Sequence, residues 1–126
     1  MTKSYTIKTI SQKTGLTIST LHYYEKVGLM PQVQRNASGH RCFTEKDLEW
    51  IHFLKCMKKT GMPLDSIRKF ASYHQKRGNL GKRLAILQEH ESRMQEQMTE
   101  LTAALEFISK KIAMFEEAVE RYPAEA

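Results

Sequence analysis

Apolar positions change their spacing near residue 80 of the chain. Before that point they form short clusters bounded by Gly, Pro or capping hydroxyls, which predict four short helices. Beyond it, one apolar stripe repeats at spacings of three and four residues as far as Val119, and Tyr122-Pro123 then breaks the pattern. The stripe predicts a single helix roughly 60 Å long, so the fold class is mainly α.

The first two short helices predict a helix-turn-helix. One covers Ile7 to Thr14, and the other begins after Thr17, whose hydroxyl can cap it, and ends at Gly28. Two short helices joined by a tight glycine turn are typical of this motif. The second helix carries hydroxyls, an imidazole and phenols that can donate to phosphates and base edges. The predicted DNA contacts on it are Thr17, Ser19, Thr20, His22, Tyr23 and Tyr24.

A hairpin is predicted between Gln32 and Phe43. Its turn is the cluster 36–39, Asn-Ala-Ser-Gly. Beside a helix-turn-helix, such a ribbon is typical of a wing that lies along the sugar-phosphate backbone or in the minor groove. An ordinary surface hairpin is the alternative interpretation. The further DNA contacts predicted in and after the wing are Arg35, His40, Arg41 and Lys59.

Two more helices follow the hairpin. Thr44 and Asp47 have the spacing of a capping box, which predicts a helix from Glu45 to Lys59. Pro63 then stands near the start of the next helix, which we expect to end at Gly78-Asn79. The inner face predicted for that helix consists of Leu64, Ile67, Phe70 and Ala71.

Charge is distributed unevenly along the chain. Residues 1–80 hold 14 Lys and Arg against 5 Asp and Glu, a net charge of +9, whereas residues 81–126 have a net charge of −3. A basic N-terminal part favours a polyanionic partner such as nucleic acid. A solvated basic surface without such a partner is the alternative.

The long helix predicts dimerisation. With Leu84 at position a, an a/d heptad register holds to Val119 with one break, at Glu91. A domain of about 80 residues offers nothing of matching length to cover this stripe, so we expect a homodimer rather than a helix folded back on its own chain. The predicted organisation is a DNA-binding domain at 1–79, a dimerisation helix at 80–121 and a tail at 122–126. The predicted interface residues are Leu84, Leu87, Met94, Met98, Leu101, Leu105, Ile108, Ile112 and Phe115.

Several functions are not expected. The chain has no Gly-rich phosphate loop, HExxH motif or nucleophile elbow, so no catalytic activity and no cofactor are predicted. The spacings of His40, Cys42, His52 and Cys56 do not match a zinc module, and no metal is predicted. No apolar run is long enough for a membrane span, and the chain opens without a secretory apolar segment. These features predict a cytoplasmic protein with reduced thiols.

Three motifs in sequence resemble the MerR family of bacterial transcription regulators. They are Leu-His-Tyr-Tyr-Glu at 21–25 with Gly28-Leu29, Gly-His-Arg-Cys-Phe at 39–43, and Thr-Gly-Met-Pro-Leu at 60–64. The resemblance implies a winged helix-turn-helix and a dimer through an antiparallel coiled coil. It also implies binding to a double-stranded promoter with an overlong spacer, which the regulator distorts so that RNA polymerase, an indirect partner, can read both promoter elements.

Two residues depart from the family pattern, and two features of particular branches are missing. His22 stands where the family usually has Arg, and His40 where it usually has Tyr, so each loses a favoured DNA contact. No paired cysteines stand at the end of the long helix, so metal sensing is not expected. No large C-terminal domain follows the long helix, so drug binding is not expected either.

Cys56 resembles the thiol of the aldehyde- and electrophile-responsive branch. His52 and Lys59 stand at i−4 and i+3, where both can reach the sulfur, and cationic neighbours favour the reactive thiolate. Modification is expected to add bulk between the DNA-binding domain and the dimer helix. The alternative is a buried, inert cysteine. Cys42 is interpreted as a tolerated strand residue.

Two other functional classes are left open. The first is a coiled-coil protein-interaction module that does not bind DNA, against which the basic N-terminal part argues. The second is a small thiol enzyme, for which no base–orienter pair exists beyond His52. The operator, the inducer, the regulated genes and the choice between activation and repression are not encoded in recognisable motifs.

Overall fold

The computed structural model describes residues 4–74 and 78–126 of the chain. In chain order the elements are β1 (Ser4–Tyr5), α1 (Ile7–Thr14), α2 (Ile18–Lys26), β2 (Phe43–Thr44), α3 (Glu45–Lys59), α4 (Leu64–His74), α5 (Leu80–Arg121) and a 3-10 turn (Pro123–Glu125). The chain divides into two compact units, Met1–Leu87 and Gln88–Ala126. The mainly α fold class is therefore confirmed.

Helices α1 and α2 form the predicted helix-turn-helix, and their bounds follow from local capping. Thr6 caps α1 by accepting from the amide of Thr9, and Gly15 ends it in the left-handed conformation, at φ 74°. Thr17 caps α2 by accepting from the amide of Thr20. Because each hydroxyl satisfies an orphan N–H of a first turn, both starts are fixed by sequence.

The wing is closed at its base by a two-stranded sheet. Strands β1 and β2 are antiparallel, with Tyr5 opposite Phe43. Tyr5 donates its hydroxyl to the carboxylate of Glu45, and this bond is the main reason why the pKa of Tyr5 is raised. The beginning of the chain is therefore attached to the end of the hairpin and to the start of α3.

The core of the first unit lies between the helix-turn-helix and α3 and α4. Aromatic rings are grouped at one side of it, where Phe53 stacks on Phe70 at 4.9 Å and Trp50 lies 5.6 Å from Phe70. Trp50 also donates its indole N–H to the carbonyl of Leu29, at the start of the hairpin segment. The fully buried side chains are Ile10, Leu21, Leu29, Phe43, Ile51, Leu54 and Ile67.

Helix α3 has the predicted bounds and the predicted capping box, in which Thr44 and Asp47 bond each other's backbone N–H groups. In α4 one predicted core residue is wrong, because Leu64 is 45% exposed whereas Ile67, Phe70 and Ala71 are buried. Leu64 opens the helix, and a first-turn side chain need not face the core that later turns cover. The predicted helix end at Gly78-Asn79 depends on residues 75–77, which lie outside the described residues.

Helix α5 is a single helix of 42 residues, Leu80–Arg121, about 63 Å long. Its beginning belongs to the first unit, where Ile86 packs against the core and the Arg83 guanidinium lies 5.9 Å from the centre of the Phe70 ring. The compact first unit thus includes residues beyond 79, while the functional division at 79 stays a prediction. Among the described residues no helix is long and apolar enough to cross a membrane.

Most of the predicted seam of α5 is exposed on the single chain. Leu101 is 63% exposed, and Met98, Leu105, Ile108, Ile112 and Phe115 are similarly open. His90, unlike the seam residues, is buried. Its pKa is lowered mainly by this burial and to a smaller extent by the positive charge of Arg93. The second unit is therefore a helix with an apolar stripe and no core of its own.

Candidate nucleic-acid interface

One face of α2 is open to solvent and carries polar side chains. Ser19, His22, Tyr23 and Lys26 follow one another at helical spacings of three, one and three residues, and all are exposed. Tyr23 is 55% exposed. The opposite face is held in the core by Leu21. This arrangement gives hydroxyl, imidazole and ammonium groups on a helix that is free to enter a groove.

Tyr24 lies elsewhere, although it was predicted as a DNA contact. Its side chain is only 7% exposed and belongs to the core. Its hydroxyl accepts from the Lys58 ammonium at 2.9 Å, and the same ammonium lies 4.6 Å from the centre of the ring. The structure therefore places Tyr24 as a link between α2 and α3. A tyrosine suits both a core and a contact surface, so its residue type alone did not distinguish the two positions.

The side chains of Thr17 and Thr20 form hydrogen bonds at the start of α2. The Thr17 hydroxyl accepts from the Thr20 amide at 3.1 Å and donates to the Thr20 hydroxyl at 2.8 Å. At the other end of the helix, Arg68 of α4 donates to the carbonyl of Val27 at 3.0 Å. Both ends of α2 are thus fixed by hydrogen bonds before any partner is bound.

The wing is a short hairpin, as predicted. Arg35 and Arg41 form an antiparallel bridge, and the amide of Asn36 donates to the carbonyl of His40 at 2.8 Å. The Asn36 side-chain oxygen accepts from the amides of Ser38 and His40, each at 3.0 Å. Arg35 and His40 are exposed at this tip. The tip therefore offers a cation and an imidazole on a turn that its own hydrogen bonds define.

Arg41 connects the wing to α2. Its Nε donates to Glu25 at 2.8 Å, and its Nη1 lies 3.1 Å from Nε2 of His22. The side chains of Arg41 and Glu25 are 22% and 13% exposed. Two predicted contacts, His22 and Arg41, are therefore brought together, and Arg41 is engaged within the protein as well as near its surface.

The remaining predicted residues lie on α3 and in the wing. Lys59 is exposed at the end of α3, and Cys56 is exposed one turn earlier. Cys42 is partly buried and lines a cavity of about 480 Å³ with Tyr5, His40 and Arg41. In the part of the chain that the structure describes, no three His, Cys, Asp or Glu side chains are grouped so that they could hold a metal ion.

Three residues matter to this surface although the sequence analysis assigned no role to any of them. Lys26 lies on the exposed face of α2, and counting three residues from Tyr23 would have found it. Glu25 and Arg68 hold α2 through contacts with segments 16 and 41 residues away. No local pattern signals such contacts, so only the folded chain reveals them.

Comparison with known proteins supports this geometry. The model of the MerR HTH family regulatory proteins matches residues 5–74, and the MerR DNA-binding model matches residues 48–111. An HTH-type transcriptional regulator of Haemophilus influenzae is 34% identical over 116 residues, which cover 91% of this chain and 86% of that protein. The HTH-type transcriptional regulator AdhR of Bacillus subtilis is 41% identical over 66 residues, 52% of this chain and 47% of AdhR.

The similarity extends to a solved complex. The crystal structure of HiNmlR, a MerR family regulator lacking the sensor domain and bound to promoter DNA, matches with a TM-score of 0.81 and 34% identity. The match covers 92% of this chain and 93% of that one. The same family is indicated by the winged helix-turn-helix with its long following helix, by two family models and by a relative that matches along most of the chain. The chain belongs to the MerR family of DNA-binding, helix-turn-helix transcriptional regulators.

Proposed function

We propose that this regulator acts as a homodimer that presents two copies of the α2 and wing surface to one promoter duplex. The observation that carries the proposal is the long exposed seam of α5 in a chain whose first unit is already packed. Large apolar side chains in a continuous row favour burial against another apolar surface. A second copy of α5 supplies a stripe of the same length and register, and an antiparallel arrangement sets the two DNA-binding units at opposite ends.

Each DNA-binding unit is suited to a groove and the adjacent backbone. Helix α2 would place Ser19, His22, Tyr23 and Lys26 toward base edges and phosphates of the major groove. Arg35 at the wing tip would follow the neighbouring phosphates. The caps at Thr17 and Thr20 and the core position of Tyr24 would orient these groups rather than contact DNA.

RNA polymerase would be affected through the DNA. A dimer that holds two α2 helices at a fixed separation can bend or untwist the spacer between promoter elements, and the cost of that deformation depends on the sequence. The rigid connection of α2 to α3 through Lys58 and Tyr24 supports such a role, because a distorted duplex needs a stiff protein surface to hold it.

The test is binding of labelled duplex DNA at several salt concentrations. We expect the wild-type dimer to bind a duplex, selected from random sequence for tight binding, far better than a scrambled duplex, with an affinity that falls as salt rises. Light scattering of the same sample should give the mass of two chains. Binding that is absent at low salt would favour the protein-interaction module instead.

We also propose that Cys56 senses electrophiles. The thiol is exposed on α3, so a small aldehyde can reach it. Neighbouring residues on the same helix hold the helix-turn-helix: Lys55 donates to the carbonyl of Thr14, and Lys58 donates to Tyr24. Since Cys56 is exposed rather than packed, the signal would pass through these two links and not through crowding of an interior.

Promoter activation with and without formaldehyde tests the sensor. Cys56→Ser should bind DNA like the wild type but lose the transcriptional response, because the DNA contacts proposed above lie on α2 and at the wing tip. Cys42→Ser is the matched control and should keep the response. If Cys56→Ser still responds fully, the inducer acts at another site and the sensor proposal fails, while the proposed DNA-binding dimer is unaffected.

A further inference from the structure

We propose that Glu25 is a positioning residue that sets the angle of the wing against α2. This inference rests on the proposed DNA-binding function and assigns a role to an acidic side chain on a surface that must approach phosphates. An uncompensated carboxylate there would weaken binding. Its contacts show what it does instead.

One carboxylate holds both arms of the hairpin. Oε2 of Glu25 accepts from the amide of Val33 on the arm that leaves α2, at 2.6 Å. Oε1 accepts from Nε of Arg41 on the returning arm, at 2.8 Å. The two arms are themselves paired, since the amide of Cys42 donates to the carbonyl of Gln34. Glu25 therefore fixes the base of the wing at two points to the last turn of the recognition helix.

Burial makes these bonds effective. Val33 is buried, so its amide needs an acceptor inside the protein. Glu25 and Arg41 are 13% and 22% exposed, so their attraction is less screened than that of an open surface pair. His22, at 3.1 Å from Arg41, adds a third contact from the same helix. The pair is thus a partly enclosed joint and not a solvent-exposed ion pair.

The wing depends on this joint because it has little packing of its own. Residues 34–40 are all exposed, whereas Val33 and Phe43 on either side are buried. Helix α2 and the wing tip would contact different parts of the duplex, so the angle between them determines whether both can bind at once. Holding that angle in the free protein lowers the ordering cost of binding.

The first test is Glu25→Gln, measured by fluorescence anisotropy on a duplex selected by the wild type. We expect roughly a tenfold loss of affinity, the size of one charged hydrogen bond. The matched control is Glu49→Gln, which removes the same charge from an exposed position of α3 and should bind DNA as well as the wild type or better. If only charge mattered, removing a negative charge near the duplex would raise the affinity. A loss of affinity in Glu25→Gln therefore has to come from the lost contacts of the carboxylate. Affinity of Glu25→Gln equal to that of Glu49→Gln overturns the proposal.

A double-mutant cycle separates positioning from general damage. If Glu25 acts through the wing, its substitution should cost less than threefold when Arg35→Ala has already removed the wing contact. A hydroxyl-radical footprint of Glu25→Gln should lose protection at the flanks and keep it at the centre. An undiminished cost in the Arg35→Ala background overturns the proposal. A wild type that binds no duplex would instead refute the DNA-binding function.

Arg41→Lys provides an independent variant should Glu25→Gln fail to fold. It keeps a positive charge near the duplex but cannot bond both Glu25 and His22 in the observed geometry. We expect the same loss of flanking protection. Arg41→Lys with wild-type affinity and footprint would show that charge, and not the joint, is what matters, and would overturn the proposal.

Discussion

The two compact units of this regulator differ in where their apolar side chains lie. In Met1–Leu87 the large apolar side chains of five elements meet in one core, and polar groups face outward from α2 and the wing. In Gln88–Ala126 the apolar side chains of one helix are exposed in a row. The difference teaches that the first unit closes its own core, whereas the second leaves an apolar stripe that the proposed dimer would cover.

Charge divides along the same boundary. The first unit carries 16 Lys and Arg against 5 Asp and Glu, and the second carries 4 against 9. The unit with a closed core is therefore the one that attracts a polyanion, and the unit with an open seam repels it. Four predictions test whether folding, assembly and DNA binding separate at this boundary.

The largest expected effect is on assembly. Leu101→Lys together with Leu105→Lys would place two charges in the proposed seam, where burying them is costly, so light scattering should report the mass of one chain. Ala103→Lys, on the side of α5 away from the seam, is the matched control and should leave a dimer. A dimer that survives the double substitution would show that the exposed stripe is not the interface.

The second effect is on the stability of the first unit. Ile51 is fully buried, so Ile51→Ala should lower the free energy of unfolding by about 2–5 kcal/mol, as a core cavity does. Urea unfolding followed by Trp50 fluorescence measures it. Leu64→Ala is the control and should cost within about 0.5 kcal/mol, because Leu64 is exposed. Equal costs for the two variants would contradict the placement of α4.

The helix bounds and the position of Leu64 show how much of the fold can be predicted from the sequence. Capping at Thr17 and Thr44 and the glycines that follow the short helices are local signals, so α1 and α3 have the predicted bounds. Helix α2 begins after Thr17 as predicted but ends at Lys26, short of the predicted end at Gly28. Leu64 was predicted inside because its spacing fits the core face, but a helix's first turn can project beyond the core. The periodicity of apolar residues indicates which face of a helix is buried. It does not indicate at which turn the rest of the protein stops covering that face.

The candidate site was predicted less completely than the fold. Exposure of His22 and Tyr23 follows from helical spacing. The burial of Tyr24 and the engagement of Arg41 by Glu25 depend on segments far apart in sequence, and neither residue type nor spacing distinguishes a phosphate contact from an internal ion pair. Tertiary pairing of this kind is where single-sequence reasoning stops.

The third effect concerns the salt dependence of DNA binding. Lys26 is exposed on α2, so Lys26→Ala should reduce the slope of log affinity against log salt by about one unit if the ammonium meets a phosphate. Lys110→Ala, in the acidic second unit, is the control and should leave the slope unchanged. Anisotropy titrations across a salt series provide the measurement. A slope altered equally by both changes would refute the assignment of the phosphate contact to Lys26 of the first unit.

The smallest effect is a pH dependence that arises from His90. Because burial, with the charge of Arg93, lowers the pKa of His90 in the folded chain, the unfolded chain binds a proton more readily as pH falls below about 6.5. Stability attributable to His90 is therefore present above that pH and lost on acidification. Urea midpoints at pH 7.5 and 5.5 should differ less in His90→Gln than in the wild type. The exposed His52→Gln serves as control, and a wild-type pH dependence in His90→Gln would contradict the assignment.

The turn at the wing tip has a consequence for variation among regulators. Its shape is held by the side-chain oxygen of Asn36, by Arg35 donating to the carbonyl of Gly39 and by the main chain, while the side chains of Ala37 and Ser38 are exposed. Those two positions can change identity without altering the path of the backbone. The wing tip is thus a natural place for evolution, or for a designed library, to retune flanking-sequence preference one residue at a time.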